Sequence, residues 1–432
     1  MAATQEVARF LSDHSLVEAT LKIVVVFAVL SGLVAYLVYL ERKVLAFMQA
    51  RLGPMRVGPW GILQPIADGL KLLLKEDLVP AGADRTVFLL APVISVVAAF
   101  SVFAAIPYGP GGWTITNPNV GILLILGLSS LGIYGIILGG WSSNSHYPLI
   151  GSFRSAAQLV SYEVAAGLAI VSVLLIANSL SLVAIVQRQQ QMGAWNVFLN
   201  PVAFVIYLIA GVAETNRNPF DLPEAESELT GGFHTEYSGF RFALYFMAEY
   251  TNMVLIASLA VVLFLGGWLR PFESVRWLSL LKYAPAAALV GAAVFVLWLG
   301  LKSRVRAERI FFAALAMGCV LLAAVVAMPA VLEAIQGVFW FTVKVMAILY
   351  AFIWYRATFP RYRFDQLMTV GWQRLIPLAL SSLIVTAIML VWTGQRLAPL
   401  LVANVLGGAL TVLILSARQD SGRFRTIEGA TR

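Results

Sequence analysis

Long continuous apolar runs, separated by short polar stretches, set the pattern of this 432-residue chain. The runs do not alternate, so they read as helices rather than half-buried strands. Most approach twenty residues, the length needed to cross a bilayer, where every backbone polar group must pair inside the spanning element. The pattern predicts eleven spans at about 22–40, 86–107, 120–140, 155–177, 197–214, 240–268, 281–301, 308–330, 337–359, 373–393 and 398–416. The span at 240–268 is long enough to tilt or to begin outside the hydrocarbon. No fixed-period repeat interrupts the series. The expected fold is all-α, a polytopic transmembrane helix bundle forming one integral membrane domain over residues 1–432.

One segment has a different pattern. In "GILQPIADGLKLLLKE", residues 61–76, Gln64, Asp68, Lys71 and Lys75 fall on one helical stripe, while Ile62, Ile66, Leu70, Leu73 and Leu74 cover much of the remainder. This predicts an amphipathic helix lying on the membrane surface. It is either a bare anchor or a lid over a cavity between helices, with Asp68 turned inward.

Composition agrees with the pattern: 60% of residues are hydrophobic and mean hydropathy is +0.84. Charge then gives the orientation. With the N-terminus outside, 22 of the 30 Lys and Arg residues fall in the inner segments, and Lys344 lies within a span. That asymmetry is a positive-inside signal and places the surface helix on the cytoplasmic side. Residues 1–21 carry Glu6, Asp13 and Glu18 ahead of the first apolar run, unlike the basic start of a signal peptide. The net charge of +8 needs no nucleic-acid partner, because topology and contact with anionic lipid account for it.

Several chemistries lack their ligands. The one cysteine, Cys319, sits in an apolar run, so neither a disulfide framework nor a CxxC metal or iron–sulfur pattern is present. His14, His146 and His234 all lie outside the predicted spans, and no phosphate-binding or dinucleotide loop is visible. If the protein takes part in redox chemistry, the electrons are carried by other subunits. What remains is proton and quinone chemistry or ion transport, argued from charges that are costly to insert.

Those charges concentrate in a few places. "AETNRNPFDLPEAESEL", residues 213–229, holds Glu214, Asp221, Glu224, Glu226 and Glu228 with a single cation, Arg217. It sits in the inner loop 214–241, where Lys and Arg normally dominate; a solvated polar loop is the plain alternative. Glu163 lies inside the fourth span, with Ala156, Ala166 and Gly167 on its side, which turns it toward the bundle. A single structural hydrogen-bonding group is its alternative role. Glu249 opens the sixth span and Glu214 closes the fifth, so three helices can gather carboxylates near the cytoplasmic leaflet. Such a group can hold or pass protons, although Glu249 alone also fits a snorkelling anchor. Glu41, Arg42 and Lys43 end the first span, an ordinary interface anchor on their own.

Six stretches together carry a resemblance: "ERKVLAFMQARLGP", "VGPWGILQPIADGLKLLLKED", "GGWSSNSHYPLIGSFRSAAQLVSYEV", the acidic stretch above, "EYSGFRFALYFMAEYTNM" and "YRATFPRYRFDQLM". In this order they resemble the H-subunit family of respiratory complex I, the proton-translocating NADH:quinone oxidoreductase, over about 20–268 and 337–393. The resemblance implies a membrane protein without a redox centre, forming the quinone chamber and the first stretch of the proton path in a bacterial inner membrane. Other membrane and peripheral-arm subunits, quinone and the lipid bilayer are its implied partners. Glu41, Arg42, Arg51 and Asp68 match one wall of the chamber; Arg217, Phe246, Glu249, Arg356 and Arg361 match the facing wall. Glu163, Glu214, Asp221, Glu224, Glu226 and Glu228 match the proton-coupling cluster, and Asp365 an acidic position beside the Arg356–Arg363 loop.

Three departures accompany the match. Residues 269–336 insert a hydrophobic hairpin whose inner turn is the basic "KSRVRAER". A further span, 398–416, follows the expected last helix, and His146 stands where the resemblance implies Lys. Adding two helices leaves the topology of the rest intact. Two other readings compete: the related membrane subunit of an energy-converting hydrogenase, and a cation/proton antiporter. The second gives no reason for the acidic loop or the surface helix.

Overall fold

The computed structural model describes residues 15–111, 113–221, 230–271, 276–302, 306–393 and 396–430. Glu224, Glu226 and Glu228 of the acidic stretch lie outside the described residues. Among the described residues there are helices and no strands. In chain order, α1 is Ser15–Met48, α2 Gln64–Leu74, α3 Arg85–Ser101, α4 Gly121–Ser142, α5 His146–Ala177, α6 Leu182–Met192 and α7 Pro201–Glu214. Then come α8 Gly239–Phe264, α9 Ala284–Lys302, α10 Arg306–Val326 and α11 Pro329–Thr358. Last are α12, Phe364–Thr393 with a π-helical stretch at Val370–Leu375, and α13, Leu397–Ala430.

Among the described residues, ten helices are long and apolar enough to span a membrane. The fifth predicted span, 197–214, is broken. Asn196–Leu199 forms its own turn and α7 then starts at Pro201. Proline donates no backbone hydrogen bond to the preceding turn. The Asn200 side chain meanwhile caps α7 by accepting from the Ala203 amide at 3.0 Å. At 14 residues α7 is about 21 Å long, short of a hydrocarbon core of about 30 Å. Helix α6 lies where a loop was expected; its polar run Arg188–Gln191 hides the apolar face that buries Leu182, Ile185 and Val186.

Helix α8 is the axis of the bundle: 78% of its most apolar window is buried, against 17% for α1. It packs against α3, α11, α1, α2 and α7, so it touches every wall of the site described below. The outer end of α8 is closed by a cation. Lys344 of α11 is buried, and its Nζ donates to the Leu265 and Leu269 carbonyls at 2.6 and 2.8 Å, beside the Trp195 ring at 4.7 Å. Terminal carbonyls of a helix lack intrahelical partners and carry its negative dipole end, which suits an ammonium group. Gly266, at φ +73, makes the turn, and a Cβ there would lie 2.6 Å from the Trp195 indole nitrogen.

The surface helix α2 is fixed to the inner end of α8. Ser238 Oγ accepts from the Leu78 amide at 3.0 Å and donates to the Glu76 carbonyl at 3.2 Å, and Arg241 pairs with Asp77 at 2.8 Å. Helices α9 and α10 pair mainly with each other, with slighter contact to α11.

Helix α13 is joined to the bundle by neutral polar groups. Asn404, fully buried, accepts from Thr386 Oγ1 at 3.0 Å and donates to the Leu199 and Leu400 carbonyls at 3.3 and 3.1 Å. Asn200 donates to Thr386 Oγ1 at 3.0 Å and to Ser172 Oγ at 3.3 Å, and accepts from Ser382 Oγ at 3.1 Å. Four helices, α5, α7, α12 and α13, therefore share one network. Asn404→Leu strands buried groups at a cost of about 1–3 kcal/mol. The expected result is a lower melting temperature of the detergent-solubilised complex and faster proteolysis of α13; an unchanged melting curve refutes the assignment.

Candidate functional site

Two spaces lie at the predicted cytoplasmic end. The first is a groove of about 460 Å³ between α1, α2 and α8. Val34, Ala35, Val38, Phe242, Phe246 and Met247 form its apolar walls, while Arg42, Gln64, Asp68 and Lys71 line its polar side. Arg42 Nη1 lies 2.5 Å from Asp68 Oδ2, and Gln64 donates to the other Asp68 oxygen at 3.0 Å. The predicted stripe of α2 thus faces a cavity, with Asp68 turned inward. Tyr39 of α1 donates to the Trp60 carbonyl at 2.7 Å and holds the chain that leads into α2.

The second space is a cavity of about 50 Å³, large enough for several waters. Glu163 of α5, Glu214 of α7 and Glu249 of α8 all line it, with Ser95, Ser129, Ser130, Asn216 and Asn252. The gathering of three carboxylates expected from the sequence is present. Of the small residues beside Glu163, Ala166 is buried in the core, whereas no atom of a neighbouring element lies within 4 Å of a Cβ built on Gly167.

Between the two spaces sits Arg217, only 5% exposed. Its guanidinium lies 3.9 Å from Glu41 Oε1 and 4.0 Å from Glu249 Oε2, and 4.2 Å above the Tyr250 ring. Glu41 precedes Arg42 of the groove, and Glu249 faces the inner cavity. Tyr250 donates to Glu41 Oε2 at 2.8 Å, and Arg356 from the end of α11 pairs with Glu41 Oε1. Phe246 completes the stack, its ring 5.7 Å from Arg217 on one side and lining the groove on the other. Taking such charges out of water is costly unless opposite charge meets them; two carboxylates and an aromatic face do so for Arg217, and Tyr250 and Arg356 do so for Glu41.

Other predicted residues lie apart. Arg51 is exposed and donates to Gln49 at 2.8 Å rather than facing the groove. Arg361 is half-buried on the α11–α12 connection, and Asp365 is exposed in the first turn of α12. Asp221 is half-buried, seven residues beyond Glu214. Sequence reasoning missed Tyr250 and Gln158. Tyr250 adjoins Glu249, so an aromatic beside an intramembrane carboxylate was the available signal; Gln158 offered none beyond its polarity in an apolar run.

The family of NADH dehydrogenases matches residues 21–387. One relative is the first of the NADH-quinone oxidoreductase H subunits of Koribacter versatilis, 51% identical over 391 residues and covering 86% of this chain and 91% of that protein. The second such H subunit of Solibacter usitatus is 51% identical over 383 residues, covering 87% and 97%. The corresponding protein of Rhodospirillum centenum is 46% identical over 358 residues, covering 83% and 89%. The chain belongs to the H-subunit family of NADH-quinone oxidoreductase. It is therefore a multi-pass membrane subunit of complex I, an enzyme assembly whose FMN and iron–sulfur clusters are carried by other subunits. Its partners include those complex I subunits. The family match spans the hairpin α9–α10 and ends before α13.

One titratable group outside the spans makes a pH test possible. His234 packs edge-on to Phe233 and Phe242, and burial lowers its pKa to about 4 against an opposing pull from Asp221. The folded segment thus keeps His234 neutral, whereas an unfolded one takes up a proton below about 6.5. Its stabilising share is complete above that pH and is lost as pH falls toward 4, by roughly 3 kcal/mol at most. Hydrogen-exchange protection of residues 232–242, taken relative to the intrinsic exchange rate at each pH, is expected to fall from pH 7 to pH 5, and His234→Phe to flatten the change. Equal slopes in both proteins refute this.

Proposed function

We propose that this chain forms the membrane-facing quinone chamber of a bacterial inner-membrane NADH:quinone oxidoreductase and the start of its proton-coupling path, with the N-terminus outside. The groove between α1, α2 and α8 takes the quinone: apolar walls suit its ring and tail, and the charged side suits its oxygens. The observation that carries the reading is Arg217, held between Glu41 on the groove side and Glu249 on the cavity side.

Quinone reduction brings two electrons and eventually two protons, so negative charge appears transiently in the chamber. A guanidinium drawn toward that charge leaves its carboxylate partners less compensated and changes their hold on protons. Glu249, Glu214 and Glu163 share one water-sized cavity, which gives the proton a path from the chamber into the membrane arm. Arg42, Arg356 and Arg361 help meet the charge, and Asp221, Glu224, Glu226 and Glu228 extend the responsive loop. Arg51, exposed and bonded to Gln49, lies outside the groove lining.

The test is proton uptake and NADH oxidation measured on the same proteoliposomes. Glu163→Gln and Glu214→Gln are expected to reduce pumping at least as much as turnover. Arg217→Ala exposes a buried pair to loss of its partner, worth about 3–5 kcal/mol, and is expected to cut quinone reduction by tenfold or more. Wild-type pumping and turnover in the assembled glutamine variants refute the mechanism.

The hairpin α9–α10 contributes no residue to the groove or to the carboxylate cavity. The expected place of the hairpin is outside the chamber, against lipid or a neighbouring subunit. Deleting residues 275–330 is expected to leave the quinone KM unchanged in the assembled complex. A raised KM places the hairpin in the site.

A further inference from the structure

The turn that carries Glu214 and Arg217 is held at both ends by one side chain. Gln158 of α5 is fully buried, just over one helical turn before Glu163. Its Nε2 donates to the Ala213 carbonyl at 2.7 Å and to the Phe220 carbonyl at 2.7 Å, with Asn216 Oδ1 at 3.3 Å. Backbone carbonyls only accept, so the amide orientation is fixed whichever way Asn216 is turned. Between the two carbonyls the chain leaves the end of α7, passes Asn216 at φ 51, and presents Arg217 at its tip.

The far side of the same turn is held separately. Asn218 Nδ2 donates to the Arg356 and Phe359 carbonyls at 3.2 and 3.3 Å, and the Pro219 carbonyl accepts from the Tyr362 amide at 3.1 Å. Those contacts tie the turn to the α11–α12 connection. Gln158 ties its base to α5, the helix that carries Glu163.

We infer that Gln158 is a positioning residue for coupling: its amide clamps the base of the 213–220 turn and so sets Arg217 between Glu41 and Glu249. This rests on the proposed function, since it is that shared guanidinium that Gln158 places. The inter-charge distances of 3.9 and 4.0 Å leave little tolerance, because a small displacement favours one carboxylate over the other. Gln158 is not among the residues lining the groove between α1, α2 and α8, so quinone binding is independent of it.

The experiment uses the intact complex in proteoliposomes, with NADH oxidation by a soluble artificial acceptor as the measure of assembly. Gln158→Leu removes the donor and is expected to lower quinone-reductase kcat roughly tenfold or more, with the quinone KM unchanged. Gln158→Glu adds a titratable clamp. Its protonated form keeps one donor toward the two carbonyls, while its ionised form offers none and repels them. That variant is expected to lose activity as pH rises, on a limb that wild type and Gln158→Leu both lack. A residue that only fills space gives no such limb.

Wild-type kcat and proton yield in assembled Gln158→Leu overturn the inference, as does a pH profile of Gln158→Glu that parallels wild type. Where Gln158→Leu does not assemble, the pH limb of Gln158→Glu decides. Failure of both to assemble assigns Gln158 to folding alone and also overturns it. Arg217→Ala and Glu163→Gln run alongside: if they act while the Gln158 variants do not, only this inference fails, and if they are silent the proposed function fails with it.

Discussion

A guanidinium buried where three helices meet must be answered by negative charge, and that requirement organises the inner end of this protein. Arg217 is nearly sealed from solvent, and two carboxylates and an aromatic face surround it. Those partners come from two helices: Glu41 from α1, Glu249 and Tyr250 from α8. Removing either helix would leave a buried charge uncompensated. The same requirement explains why the acidic stretch interrupts a loop that topology alone would make basic. Its first carboxylate, Glu214, belongs to the carboxylate cavity, and its cation joins that cavity to the groove.

Helices α8 and α11 are bound together at two levels. At the outer end Lys344 of α11 grips the carbonyls that close α8. At the inner end Arg356 of α11 and Tyr250 of α8 meet on Glu41. The two helices are therefore fixed along their length, and what can reorganise is the set of ion pairs between them. Dispersed apolar packing along α8 has no comparable freedom, since close-packed side chains resist small shifts.

Much of this was legible in the sequence, for reasons specific to membranes. Apolar length marks a span, so ten of the eleven predicted spans appear where expected, and the Gln64–Asp68–Lys71 stripe identified α2 and its inward face. Carboxylates inside spans are costly enough that Glu163 and Glu249 announced themselves. Breaks inside an apolar run were not legible: the interruption at Asn200 and Pro201 depends on a capping bond to Ala203 and on the hydroxyls of α12. Helix α6 was hidden by its polar run. Gln158 and Tyr250 were missed because their roles come from partners more than fifty residues away in the chain, Ala213 for one and Glu41 for the other. Arg51 lies in a matching motif, and its side chain is bonded to Gln49 rather than turned to the groove.

The two ends of the bundle solve the problem of burying polar groups in different ways, and the difference follows their tasks. Toward the outer side, α5, α7, α12 and α13 are held by amides and hydroxyls centred on Asn200, Thr386 and Asn404, with Lys344 held by the Leu265 and Leu269 carbonyls. Neutral hydrogen bonds of that kind hold helices together yet respond weakly to a charge arriving elsewhere. Toward the inner side the bonds are ionic, and among the described residues one cation lies at nearly equal distance from two anions. Coulomb terms act over several ångströms in a poorly screened interior, so a charge placed in the groove is felt by all three partners at once. A rigid neutral half and a responsive ionic half, joined along α8, give one molecule both a fixed scaffold and a site that charge can rearrange.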